Sequence, residues 1–139
     1  MIHIATHGFP LENEVSALAL NPDNYNDGFL TYREVQKLDI DARLVVLSAC
    51  NTKQGESYNN IHSLSIARAF KDIGVENVIG TLWPIDDEAT AKFMEIFYDT
   101  LINIENRNIV YALKYTKLQM RQLYPNPHYW AGFVLYGNY

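Results

Sequence analysis

The chain predicts an α/β domain built on a mostly parallel sheet, and three observations carry that prediction. Leu44-Val45-Val46-Leu47 and Val78-Ile79-Gly80-Thr81-Leu82-Trp83 are short continuous apolar runs, the pattern of strands buried on both faces. Between and after them lie segments with apolar residues at helical spacing. The resulting order is strand, helix, strand, helices, strand, the signature of a sheet with helical crossovers. At 139 residues the chain is one domain, and its 48% hydrophobic residues suffice for a packed core.

Taken in order, residues 1–6 read as a buried strand and residues 15–20 as a short one. Asn24-Tyr25-Asn26-Asp27-Gly28 is a turn, rich in residues that tolerate positive φ. Thr31 is placed to cap a short helix over 32–37, with Glu34 as its capping-box partner. Residues 43–49 form the strongest strand, and the polar stretch 51–62 a loop. Ser63 is expected to cap a helix over 64–73, with Leu64, Ala67, Phe70 and Ile73 inward and Gly74 stopping it. Residues 76–83 form a third core strand, ended by Pro84. Asp86 or Asp87 caps a long helix whose inner face carries Phe93, Met94, Phe97 and Leu101. A further helix over about 107–123 rests on Ile109, Leu113, Leu118 and Met120, and Trp130 to Tyr136 is the last strand. Four core strands are few for a complete doubly wound domain, whose sheets carry about five or six.

Composition excludes several classes of function. A net charge of −5 without a basic run argues against a nucleic-acid surface. No stretch approaches the roughly 18 apolar residues of a membrane span, so no membrane partner is expected. Met1 opens directly onto a strand, without a charged lead-in or cleavage site. With a single cysteine and no leader, a reducing, cytoplasmic setting is expected. No Gly-rich phosphate loop follows a strand, which disfavours a nucleotide-binding domain. Four scattered histidines and one cysteine show no ligand spacing, so neither metal nor cofactor is expected.

Two segments draw the chemistry to themselves. His7-Gly8 follows the first apolar run, and Ser48-Ala49-Cys50-Asn51-Thr52 follows the run at 44–47. A cysteine is a useful nucleophile only as its thiolate, which a nearby imidazole can supply and hold. Parallel strands present their carboxyl ends on one edge, so strands ending in His and Cys can bring both to one crevice. The plainer alternatives are a strand-end histidine satisfied by a backbone carbonyl, and a cysteine buried as a small hydrophobe. His3 lies four residues before His7, hence on the same face of a strand, and is expected either to hold a buried hydrogen bond or to support the site from below, the first being favoured. Asp86 and Asp87 suit a helix N-terminus. Glu56 reads as solvated, His62 and His128 as non-catalytic, and Trp83 and Trp130 as core or pocket wall.

At these residues the chain resembles the CHAT family, a branch of the caspase-like cysteine peptidases that also includes separase and gingipain relatives. The matching pieces run along nearly the whole chain: His3-Ile4-Ala5-Thr6-His7-Gly8, Ala17-Leu18-Ala19-Leu20, Asp27-Gly28-Phe29-Leu30-Thr31, Leu44 to Thr52, Ser65-Ile66-Ala67-Arg68-Ala69-Phe70, Gly80 to Asp87, and His128 to Gly137. Where such proteins often carry a Gly-Glu-Gly-like stretch, this chain reads Tyr58-Asn59-Asn60-Ile61-His62.

The resemblance implies a caspase-like three-layer α/β/α fold. Because the chain opens on the histidine strand, it corresponds to the C-terminal portion of that domain, without its first strands. It implies His7 as general base, Cys50 as nucleophile and acyl-enzyme residue, and the N–H groups of Gly8 and Cys50 as oxyanion donors. It also sets Asp86 and Asp87 at the pocket for the residue preceding the cleaved bond, where an acid favours Arg or Lys. The implied partner is a protein substrate, and the implied setting a larger protein with helical repeats. The alternative is a non-catalytic interaction module or inactive remnant, which dimerises or binds a strand through the exposed edge of residues 1–6.

Overall fold

Every residue of Leu44–Leu47 and of Asn77–Thr81 is buried in the computed structural model, as strands covered on both faces must be. The structure describes residues 1–11, 14–48 and 61–137. They fall into two units, one drawn from Met1–Pro84 with the last strand from Val134 onward, the other from Ile85–Phe133.

The first unit holds a four-stranded sheet of β1 (Ile2–Ile4), β5 (Leu44–Leu47), β6 (Asn77–Thr81) and β7 (Phe133–Gly137), in that spatial order. β1 runs parallel to β5, with Ile2, His3 and Ile4 opposite Val45, Val46 and Leu47. β5 runs parallel to β6, with Leu44, Val45 and Val46 opposite Asn77, Val78 and Ile79. The domain is therefore α/β with a mostly parallel sheet, as expected.

A second sheet was legible in the sequence only through its middle strand, expected over 15–20 and found at Glu14–Ala19. β2 (Gly8–Leu11), β3 (Glu14–Ala19) and β4 (Phe29–Thr31) form an antiparallel three-stranded sheet in the order β2-β3-β4. β2 contains Pro10, and its register with β3 shifts between Phe9 and Leu11. Proline is tolerated there because β2 is an edge strand. The expected strand over residues 1–6 is correspondingly shorter, ending at Ile4 where the chain turns toward this second sheet.

Helix α1 (Tyr32–Val35) starts on the anticipated capping box. The Glu34 N–H donates to Thr31 Oγ1 at 3.3 Å, and the Thr31 N–H donates to Glu34 Oε2 at 2.9 Å. Gly28, just before, has φ +83°, and a Cβ there would stand 2.9 Å from the Leu20 carbonyl oxygen. Helix α2 (Ile61–Asp72) begins before Ser63, so that serine lies inside the helix rather than capping it. Its residues Ile66, Ala67 and Phe70 join Val35, Val45, Leu47, Val75 and Val78 in one buried cluster. Gly74 ends α2 as expected, at φ +96°, and the Val75 N–H donates back to Phe70 O at 3.1 Å. Lys71 Nζ donates to the Val75 and Glu76 carbonyls at 3.0 and 2.8 Å, satisfying acceptors of the turn into β6.

The second unit pairs α3 (Asp87–Asn103) with α4 (Ile109–Leu123). Phe93, Met94, Phe97 and Leu101 are buried along α3, as their spacing predicts. Phe93 and Phe133 stack at a centroid distance of 3.7 Å. Asn108 caps α4, its Oδ1 accepting from the Tyr111 N–H at 2.9 Å. The face of α4 that is buried carries Ile109, Ala112, Leu113, Thr116 and Met120. Leu118, expected among them, is 48% exposed. Nine residues on from Ile109 is about half a turn out of phase at 3.6 residues per turn. The last strand starts at Phe133 rather than Trp130. Trp130 and Ala131 instead close a tight turn, both N–H groups donating to Pro127 O, while Trp130 Nε1 donates to Tyr124 O.

Candidate functional site

Parallel neighbours end on the same edge of a sheet, so β1 and β5 deliver their carboxyl ends side by side. The last register pair is Ile4 opposite Leu47, and the Ser48 N–H extends it by donating to Ile4 O at 3.1 Å. Beyond that point each chain leads to one of the two residues singled out for chemistry.

From β1 the chain passes through Ala5 and Thr6 to His7, which sits at the entry to the second sheet. Three contacts anchor it to β3. Thr6 Oγ1 donates to Ala19 O, the Ala19 N–H donates to His7 O at 2.8 Å, and Gly8 pairs with Leu18. His7 is exposed and Gly8 is half-buried. From β5 the chain passes through Ser48 toward Cys50. Ala49–Asn60 lie outside the described residues, and with them Cys50 and Glu56.

The structure adds a contact that the sequence did not announce. His3 Nε2 and Ser48 Oγ lie 2.8 Å apart across β1 and β5. Ser48 retains only 9% of its exposure, and a hydroxyl so buried needs a partner. A polar residue directly after a strand buried on both faces was the available signal. His3 holds a hydrogen bond as expected, but the residue as a whole is exposed. Desolvation of its ring lowers the pKa below the ordinary imidazole value of 6.5 and favours the neutral form. β1 ends at Ile4, so His3 lies on that strand and His7 beyond it.

The family model of the CHAT domain matches residues 1–138. The chain belongs to the CHAT family. A caspase-like α/β fold follows, in keeping with the mostly parallel four-stranded sheet. Among curated proteins it is similar to tetratricopeptide repeat protein 28 of Homo sapiens, 29% identical over 112 residues, covering 78% of this chain and 4% of that protein. The same protein of Mus musculus is 28% identical over 109 residues, again covering 78% and 4%. The chain thus spans about 4% of the length of these relatives.

The remaining expected residues of this CHAT domain take plainer positions. Asp86 is the N-cap of α3: its Oδ1 accepts from the Glu88 and Ala89 N–H groups at 3.0 and 3.1 Å. Asp87 opens the first turn, where a negative charge complements the helix dipole. Both are exposed and belong to the second unit. His128 is exposed in a short 3-10 turn (Pro127–Tyr129), its ring edge-on to Tyr129 at 5.8 Å. His62 falls in α2, and Trp83 and Trp130 are half-buried. Among the described residues no group of three or more His, Cys, Asp or Glu is placed to hold a metal ion. Among them, too, no helix is long and apolar enough to cross a membrane.

Proposed function

We propose that this CHAT domain is a cysteine endopeptidase module that uses His7 and Cys50 to cleave a protein partner, with a preference for a basic residue before the cut bond. The observation that carries the reading is the parallel adjacency of β1 and β5, sealed by the Ser48 N–H to Ile4 O bond. It brings together the two strand ends that lead to an exposed imidazole and to the chain's single cysteine.

In this reading the His7 imidazole takes the Cys50 thiol proton, and the thiolate attacks the scissile carbonyl carbon. The N–H groups of Gly8 and Cys50 hold the oxyanion of the tetrahedral intermediate. One such donor contributes roughly a hundredfold or more in rate. Collapse expels the amine, which carries away the proton from His7. Water, deprotonated by the same imidazole, then hydrolyses the thioester and frees the cysteine. Asp86 or Asp87 supplies the charge that selects Arg or Lys. The tetratricopeptide repeat relatives support a place within a larger repeat protein; the reducing, cytoplasmic setting of the proposal rests on the single cysteine.

One observation favours a second reading, a non-catalytic interaction module. β1 stands at the end of the strand order of its sheet, an edge that another strand or a second copy can pair. Alkylation of the folded protein at neutral pH separates the two. A peptidase module labels at Cys50, His7→Ala slows the labelling, and Cys50→Ala abolishes both labelling and cleavage. A folded protein whose cysteine is inert, or a Cys50→Ala variant that cleaves at the wild-type rate, overturns the peptidase reading.

A further inference from the structure

We propose that His3 and Ser48 are a positioning pair that fixes the tips of β1 and β5, and with them the lead-ins to His7 and Cys50. The catalytic consequence rests on the peptidase reading, whereas the mechanical claim concerns the strand ends themselves.

The two side chains come from positions 45 residues apart and meet at 2.8 Å. Their meeting follows from register. His3 lies opposite Val46, and Ser48, two residues further along, projects to the same face as Val46. Ser48 is thereby tied to β1 twice, through its N–H to Ile4 O at 3.1 Å and through its hydroxyl to the His3 ring. Both ties lie where the β1–β5 ladder stops, at the point where strand ends otherwise open locally. A neutral ring, which partial desolvation favours, satisfies the hydroxyl in either tautomer, accepting from it or donating to it.

The same two atoms also resemble a nucleophile and its base. Ser48, however, is only 9% exposed, a poor position for a nucleophile that must meet a peptide. The pair acts through the strands it joins and not on a substrate.

The test follows two quantities on the full chain: amide hydrogen exchange at residue 48, and the alkylation rate of Cys50 by iodoacetamide from about pH 5 to 9. Ser48→Ala and His3→Leu should each accelerate exchange at residue 48 by about tenfold. Each should also slow alkylation and shift its pH profile, and the double variant should be no worse than either single one. Ser48→Thr and His3→Gln, which restore a hydroxyl and a side-chain nitrogen, should return both quantities to within about twofold of wild type.

Unchanged exchange at residue 48 in Ser48→Ala overturns the pair, even if the melting temperature falls, since a bond that only adds stability would do that. Labelling of Ser48 by a fluorophosphonate also overturns it, by making the serine a nucleophile. If His7→Ala leaves the wild-type alkylation profile untouched, the peptidase reading fails, and the exchange data still decide the pair.

Discussion

Asp86 is the position where helix capping and the proposed selection of a basic residue can be tested apart by exchanging one atom. Its Oδ1 accepts from two N–H groups at the start of α3, those of Glu88 and Ala89. Ala89 is completely buried, so its N–H, once released, is poorly placed to find water. Loss of an N-cap oxygen costs about 1 kcal/mol, and the buried donor moves the expectation for Asp86→Ala to about 1.5 kcal/mol. For a domain of this size that is a fall of roughly 4–6 °C in Tm, read by far-UV circular dichroism. Asp86→Asn keeps the accepting oxygen and loses only the charge facing the helix dipole, about 0.3–1 kcal/mol. The order of stability is therefore wild type, then Asn, then Ala. If Asp86 also selects a basic residue, Asp86→Asn reduces the kcat/KM ratio for Arg over Gln peptides by about tenfold or more, with little loss of Tm. If the carboxylate is a cap alone, Asp86→Asn leaves that ratio where it was. An Asp86→Ala protein that melts with wild type would refute the capping argument itself.

Three other outcomes are expected. Phe93 is fully buried and stacked on Phe133, so Phe93→Ala should cost about 3–5 kcal/mol, seen as a large drop in the urea midpoint. Burial pushes Tyr98 up to about 12 from 10.0, so the folded protein holds that phenolic proton after the unfolded chain has lost it. This contribution to stability is complete below pH 10 and disappears as pH rises toward 12; Tyr98→Phe should flatten that loss in alkaline urea titrations. His3, with its pKa lowered by desolvation, should show an NMR midpoint below 6.5. Its contribution is present above 6.5 and is lost as pH falls through the folded value, so a midpoint above 6.5 would contradict the partial burial of the ring.

What the sequence revealed and what it hid divide along physical lines. Leu44–Leu47 announces itself because a strand covered on both faces has no polar positions to blur the run. Thr31 with Glu34, and Asp86 before a periodic helix, were legible because caps are local chemistry within four residues. The outer strands of the second sheet were hidden because Gly8–Leu11 contains a proline and Phe29–Thr31 is only three residues long, too short for alternation to register. Leu118 misled because a leucine favours a helix without saying which way it faces; only its phase against Ile109 and Met120 does. For the candidate site, His7 and Cys50 stood out by their place after apolar runs, while Cys50 lies outside the described residues. Ser48 was passed over because its partner is 45 residues away, and no local pattern encodes a bond of that span.

The three anchors around His7 have an implication for where this chain can change length. Residues 20–28 bulge outward between β3 and β4, closed at their base by the Leu20 N–H to Gly28 O bond at 2.7 Å. Insertions there leave the imidazole's footing untouched. Within β3, between Ala17 and Ala19, the situation reverses: one added residue would shift the pairing with β2, turning Leu18 outward and pulling Ala19 away from the carbonyl of residue 7. The register of β3 thus fixes the backbone on which the histidine stands.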